Sequence, residues 1–168
     1  MSGAEIITVG VVAAGTGIAC AHDLSQRRIP NAVSATFAAT GLMLAAAGIT
    51  GITIWSSLAG CVLGLALMMP GHVLGATGAG DVKLLAAAGA VLGAGQILEA
   101  FVFTALAGGA LALGIAWHRG RLGRTVRQTA RLCTAPGAVR EEIESQVEHN
   151  RFPYAPAIAA GVVIAALR

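Results

Sequence analysis

The sequence predicts an all-α fold: a polytopic integral membrane protein of about six transmembrane helices, with its N-terminus outside. Three observations lead there. The chain of 168 residues is 56% hydrophobic and 11% charged, with a mean hydropathy of +0.77. A soluble domain carries about 25% charged residues, so this chain has too few to coat a surface facing water. Its apolar residues fall into runs near the ~20 residues that a helix needs to cross a bilayer. Finally, every Lys and Arg except Arg168 falls on one side if those runs alternate across a membrane.

The runs cover residues 5–22, 32–50, 52–73, 82–96, 98–117 and 153–167. The first has Ala19-Cys20-Ala21, which resembles a signal-peptide cleavage site, but no Lys or Arg precedes Arg27, so the basic region of a secretory signal is missing. The second begins after Ile29-Pro30-Asn31, because Pro fits a helix start and not a helix interior. Tight turns near Gly51 and Gln96 make hairpins of the second and third runs and of the fourth and fifth. The fourth and sixth are short at ~1.5 Å per residue, which bilayer thinning or snorkelling flanks accommodate. Pro153 and Pro156 set the start of the sixth. The whole of 1–168 reads as one membrane domain.

Aromatic content is 4% and glycines number 23. Small side chains let helix backbones approach in lipid. Gly60/Gly64 and Gly89/Gly93 are Gly-x-x-x-Gly pairs: packing faces, or coincidences in a Gly-rich chain. Cys20, Cys61 and Cys133 form no Cys-x-x-Cys, which argues against a zinc ribbon or a dithiol site.

Arg27, Arg28, Lys83 and the arginines of 118–151 share one side, and the positive-inside rule makes it the cytoplasm. The connection 118–151 carries Arg124, Arg127 and Arg131 on one helical face, then Val139, Ile143 and Val147 beside four glutamates. It reads as two amphipathic helices on the membrane surface, able to bind anionic lipid, or as a solvated loop that sets topology. Without aromatic interleaving it does not read as a nucleic-acid site.

The stretch TGAGDVKLL at 77–85 breaks the apolar pattern. It holds one of only two aspartates, Asp81; the other, Asp23, closes the first run. By the topology above both lie at the cytoplasmic edge, whereas Glu5 and Glu99 lie near the outer one. Carboxylates at such a depth are costly and tend to mark function. Two in one low-dielectric pocket titrate as a unit, one ionised and one protonated. That state suits acid–base hydrolysis, with one group taking a proton from water while the other polarises a carbonyl. Gly78 and Gly80 offer backbone angles closed to other residues and room for a substrate backbone. The plain structural alternatives are a helix N-cap for Asp81 and an i,i+4 pair with Arg27 for Asp23. Lys83 either snorkels to the surface or pairs with a carboxylate.

HDLSQRRIPN (22–31), GAGDVKLLAAAGAVLG (78–93) and RFPYAPAIAAG (151–161) resemble, in order, the three signature regions of the type IV prepilin peptidases, membrane aspartic proteases of the GxGD class. The resemblance runs over nearly the whole chain. It implies that Asp23 and Asp81 are the catalytic pair, in a site shaped by Gly78, Gly80, Lys83, Pro30, Asn31 and Pro153. It also implies that no metal or other cofactor is needed. The partner it implies is a prepilin or pseudopilin, whose basic leader before an apolar helix is cut at the cytoplasmic face of the inner membrane. Longer family members carry paired Cys-x-x-Cys motifs and also methylate the new pilin N-terminus. This chain lacks the motifs, which argues against methyl transfer, and its short form resembles the peptidases of Flp-type (tight-adherence) pili. Two other classes fit paired carboxylates: a small proton- or cation-coupled transporter or channel, and a structural scaffold. No titratable residue in the middle of a run completes a path for the former.

Overall fold

The structure is a computed structural model and describes residues 2–74, 77–118 and 154–168. The expectations for the basic connection beyond His118, and for Pro153, fall outside the described residues. Those described are helical, with no strand among them: α1 (Gly3–Gln26), α2 (Asn31–Ala46), α3 (Ile54–Val73), α4 (Ala79–His118) and α5 (Ala155–Ala166).

Local chemistry sets the ends. Ser2 and Glu5 form a capping box on α1: the Ser2 Oγ accepts from the Glu5 N–H at 3.3 Å, and the Ser2 N–H donates to the Glu5 Oε2 at 2.7 Å. α2 stops at Ala46, earlier than the apolar run suggests. Gly48 at φ 69° lets the Gly48 N–H reach the Ala45 carbonyl (3.1 Å) and the Ile49 N–H reach that of Leu44 (3.0 Å), a left-handed glycine stop. Thr53 caps α3, accepting from the Ser56 N–H at 3.2 Å.

The fourth and fifth runs are parts of α4, broken at Gly93 (φ 79°, ψ 176°). The expected turn at Gln96 is thus three residues too late; a Gly-only conformation makes it at Gly93. The chain doubles back there. The Tyr154 ring touches Gly108 and stands within electrostatic reach of Asp81, yet a straight helix would put about 40 Å between Asp81 and Gly108. The hairpin is as expected; its corner is not.

The first half of α4 is the centre of the bundle, with Leu84–Leu92 buried throughout. The two Gly-x-x-x-Gly pairs face each other. A Cβ on Gly60 would collide with the Gly89 backbone, one on Gly89 with that of Gly60, and one on Gly64 would lie 2.6 Å from the Leu85 carbonyl oxygen. They are the seam between α3 and α4. α2 runs parallel to this half: Asn31 bonds Lys83, and Gly41 sits on Ala90 and Val91. The Phe37 ring rests on Gly15 of α1, and Gly161 of α5 rests on Thr104 of α4.

α1, α3 and the stretch Ala79–Gly114 of α4 are long and apolar enough to cross a membrane, while α2 and α5 are shorter apolar helices. At most 22% of the residues in the most apolar window of each long helix are buried. Ile6, Ile18, Val62, Val102 and Leu106 point outward. An outer surface this apolar suits a membrane protein. Some polar groups inside find local partners, as when the buried Thr16 Oγ1 donates to the Val12 carbonyl at 2.7 Å.

Candidate active site

The end of α1 and the starts of α4 and α5 meet at one end of the bundle. On α1, Thr8, Val12, Thr16, Ala19 and Asp23 form the buried stripe, a spacing that carries Asp23 onto the inward face. α1 runs one turn beyond the apolar run. It closes at Arg27, whose left-handed φ of 51° lets its N–H donate to the Asp23 carbonyl at 2.8 Å. The Asp23 side chain is 8% exposed, and its Oδ2 accepts the Ala155 N–H of α5 at 3.3 Å. No ion pair joins it to Arg27 among the described residues, so the i,i+4 alternative fails: the carboxylate faces the bundle and not its own helix surface.

Asp81 is not an N-cap. Gly78 caps α4, its carbonyl accepting from the Asp81 N–H (3.1 Å) and the Val82 N–H (3.3 Å). Asp81, at the third helical position, returns the contact: its Oδ2 accepts the Gly78 N–H at 3.1 Å. This is the carboxylate half of a capping box, and it holds the group against the positive end of the helix. Asp81 is 9% exposed. The two carboxyls lie within electrostatic reach of each other. Glu99 lies at the other end of the bundle, 4.0 Å from Arg168 at the far end of α5.

The expectation about the glycines needs correction. Positive φ occurs at Gly48, Gly51 and Gly93, not at Gly78 or Gly80. What these two supply is room. A Cβ on Gly80 would lie 3.2 Å from the Ile29 Cβ, and one on Gly78 would lie 3.1 Å from the Asp81 Oδ2. Lys83 does not pair with a carboxylate: exposed, it donates from Nζ to the Asn31 Oδ1 at 2.9 Å. Pro30 stands at the entry to α2, as expected, and is its N-cap; its carbonyl accepts the Val33 N–H at 3.0 Å. Asn31, Lys83, Ile29 and Gly80 thus tie the starts of α2 and α4 together beside the two aspartates.

Sequence reasoning missed two contributors, the Ala155 N–H and the Tyr154 phenol. A signal for them existed: Tyr154 is the only tyrosine, and it lies between Pro153 and Pro156 at a helix start. Among the described residues no group of three or more His, Cys, Asp or Glu gathers to suit a metal ion. What the site does hold is two carboxyls out of bulk water, each anchored through Oδ2 by a backbone N–H. Two nearly buried carboxyls within electrostatic reach of each other can differ in proton affinity, which is what acid–base chemistry on water requires.

Among known families, the model described as the type IV leader peptidase family matches residues 10–113. That range takes in both aspartates and stops before α5. The curated proteins and the solved structures yield no significant match. A match over more than half of the chain, with both aspartates inside it, places this protein in the type IV leader peptidase family.

Proposed function

We propose that this chain is a membrane-embedded aspartic endopeptidase that removes the basic leader peptide from type IV prepilin-like substrates. The observation that carries the reading is that Asp23 and Asp81, from separate helices, are both nearly buried at one end of the bundle and within electrostatic reach of each other. In the proposed reaction the ionised carboxylate takes a proton from water, and the water oxygen bonds to the scissile carbonyl carbon. The protonated partner donates to the carbonyl oxygen. Collapse re-forms the C=O bond, breaks the C–N bond, and the amine leaves with a proton.

Counting α4 as two passes gives six, which agrees with a cytoplasmic dyad and an external N-terminus. Arg27, Arg28 and Lys83 lie at the dyad's end, and the arginines of 119–151 follow the pass that returns to it. The site then opens at the cytoplasmic face of the inner membrane, where a basic leader meets two carboxyls. The short form supports an Flp-type pilus substrate and cleavage without methyl transfer.

The test is co-expression with a candidate prepilin, with leader removal followed on a gel. Asp23→Asn and Asp81→Asn should each slow cleavage about 10²–10⁴-fold while still inserting in the membrane. A folded variant of either that cleaves at the wild-type rate ends the reading.

A further inference from the structure

The start of α5 adjoins the dyad, yet it lies beyond the range of the family match. Tyr154 is the N-cap of α5, and its carbonyl accepts the Ala157 and Ile158 N–H groups at 3.0 and 3.2 Å. Its ring lies so close on α4 that a Cβ on Gly108 would collide with Oη and stand 2.5 Å from Cε2. Ring and backbone are therefore both held. The next N–H along, that of Ala155, donates to Asp23, and the phenol stands within electrostatic reach of Asp81. One dipeptide thus holds Asp23 and brings a phenol within electrostatic reach of Asp81.

Tyr154 is part-buried, and its Oη makes no hydrogen bond among the described residues and is not among the oxygens sealed off from solvent. Lodged on Gly108, next to the residue that holds Asp23, it is an unspent donor. We propose that Tyr154 is a third catalytic group, whose Oη–H donates to the carbonyl oxygen of the scissile peptide and holds the charge that gathers there as water adds. The role rests on the endopeptidase reading above. Tyr154 keeps its proton throughout: water gives a proton to the ionised aspartate as its oxygen bonds to the carbonyl carbon, the carbonyl π electrons move onto an oxygen that takes the proton of the other aspartate, and as the C=O bond re-forms the C–N bond breaks and the amine leaves with a proton. Gly108 acts as a positioning residue, because any side chain there displaces the ring.

Steady-state cleavage of a synthetic prepilin peptide by the full chain in detergent tests the proposal. Tyr154→Phe keeps the ring on Gly108 and the Ala155 N–H. It should lower kcat about a hundredfold, as loss of an oxyanion donor does, and leave KM and the thermal midpoint near wild type. An unchanged kcat, or a change confined to KM, overturns the proposal. Should Tyr154→Phe fail to fold, Gly108→Ala decides instead: a fall in kcat at constant KM supports the role, and a wild-type kcat overturns it. Asp23→Asn and Asp81→Asn run alongside. If they still cleave at full rate, the endopeptidase reading itself fails; if they are inactive while Tyr154→Phe keeps full kcat, only the tyrosine's role falls.

Discussion

The Ser57 Oγ donates to the Ala90 carbonyl at 2.5 Å, and its neighbour, the Ser56 Oγ, accepts the Ala94 N–H at 3.2 Å. Ala90 and Ala94 are the partners that an unbroken helix would have joined to each other. Two serines of α3 take over both groups, so α4 turns at Gly93 with neither left unpaired. Ser57→Ala should therefore cost about 1–3 kcal/mol, the penalty for a buried polar group left without a partner. Ser56→Ala should cost less, because Ser56 is only partly buried. Denaturant unfolding in detergent reads both, and equal or absent effects would contradict this account of the corner.

Gly80 and Ile29 pack together between the starts of α2 and α4 beside the dyad. The Ile29 Cβ is branched and stiff, so a methyl at position 80, 3.2 Å away, pushes on the start of α4 and with it on Asp81. Gly80→Ala should slow leader cleavage about tenfold, short of the roughly hundredfold that a 1 Å misplacement can cost. Adding Ile29→Ala should restore much of the rate, since the two sites share one space. Additive losses in the double variant would show that the space is not what matters.

If the two carboxyls work as one acid and one base, kcat/KM for cleavage should be bell-shaped in pH. Activity falls on the acid side when both carboxyls are protonated, and on the alkaline side when both are ionised. The two apparent pKa values belong to the pair and not to either residue. A rate that keeps rising as the second proton is lost would remove the need for a carboxylic acid in the mechanism.

Orientation has its own test. A reporter fused after Arg131 should read as cytoplasmic, and one at the N-terminus as external. The reverse pattern would carry the dyad to the other face of the membrane and with it rule out a cytoplasmic leader as substrate.

Much of this was legible in the chain itself. Lipid leaves a helix as the way to satisfy a backbone in a chain of this kind, so apolar run length located the helices. Charge bias paired with alternation was enough to expect Asp23 and Asp81 at one depth. The resemblance to a known family singled out Pro30, Asn31 and Lys83 as neighbours of the site, though not the bond between the Lys83 Nζ and the Asn31 Oδ1. Local composition could not tell Gly93 from Gln96 as the corner, because the deciding partners, Ser56 and Ser57, lie on another helix. For the same reason it misjudged Gly78 and Gly80, whose backbone is ordinary and whose missing side chains matter to Asp81 and Ile29.

The sequence by itself thus determined an all-α apolar chain and two carboxylates set toward one end of it, since both follow from which solvent each stretch can tolerate. Only the tertiary structure decided that Asp23 is held by the Ala155 N–H, that Asp81 is held by the Gly78 N–H, and that the Tyr154 ring lies on Gly108. The physical reason is range. The preference of a stretch for lipid or water is written in its own residues, whereas a hydrogen bond between Asp23 and Ala155 depends on where two distant helices come to rest.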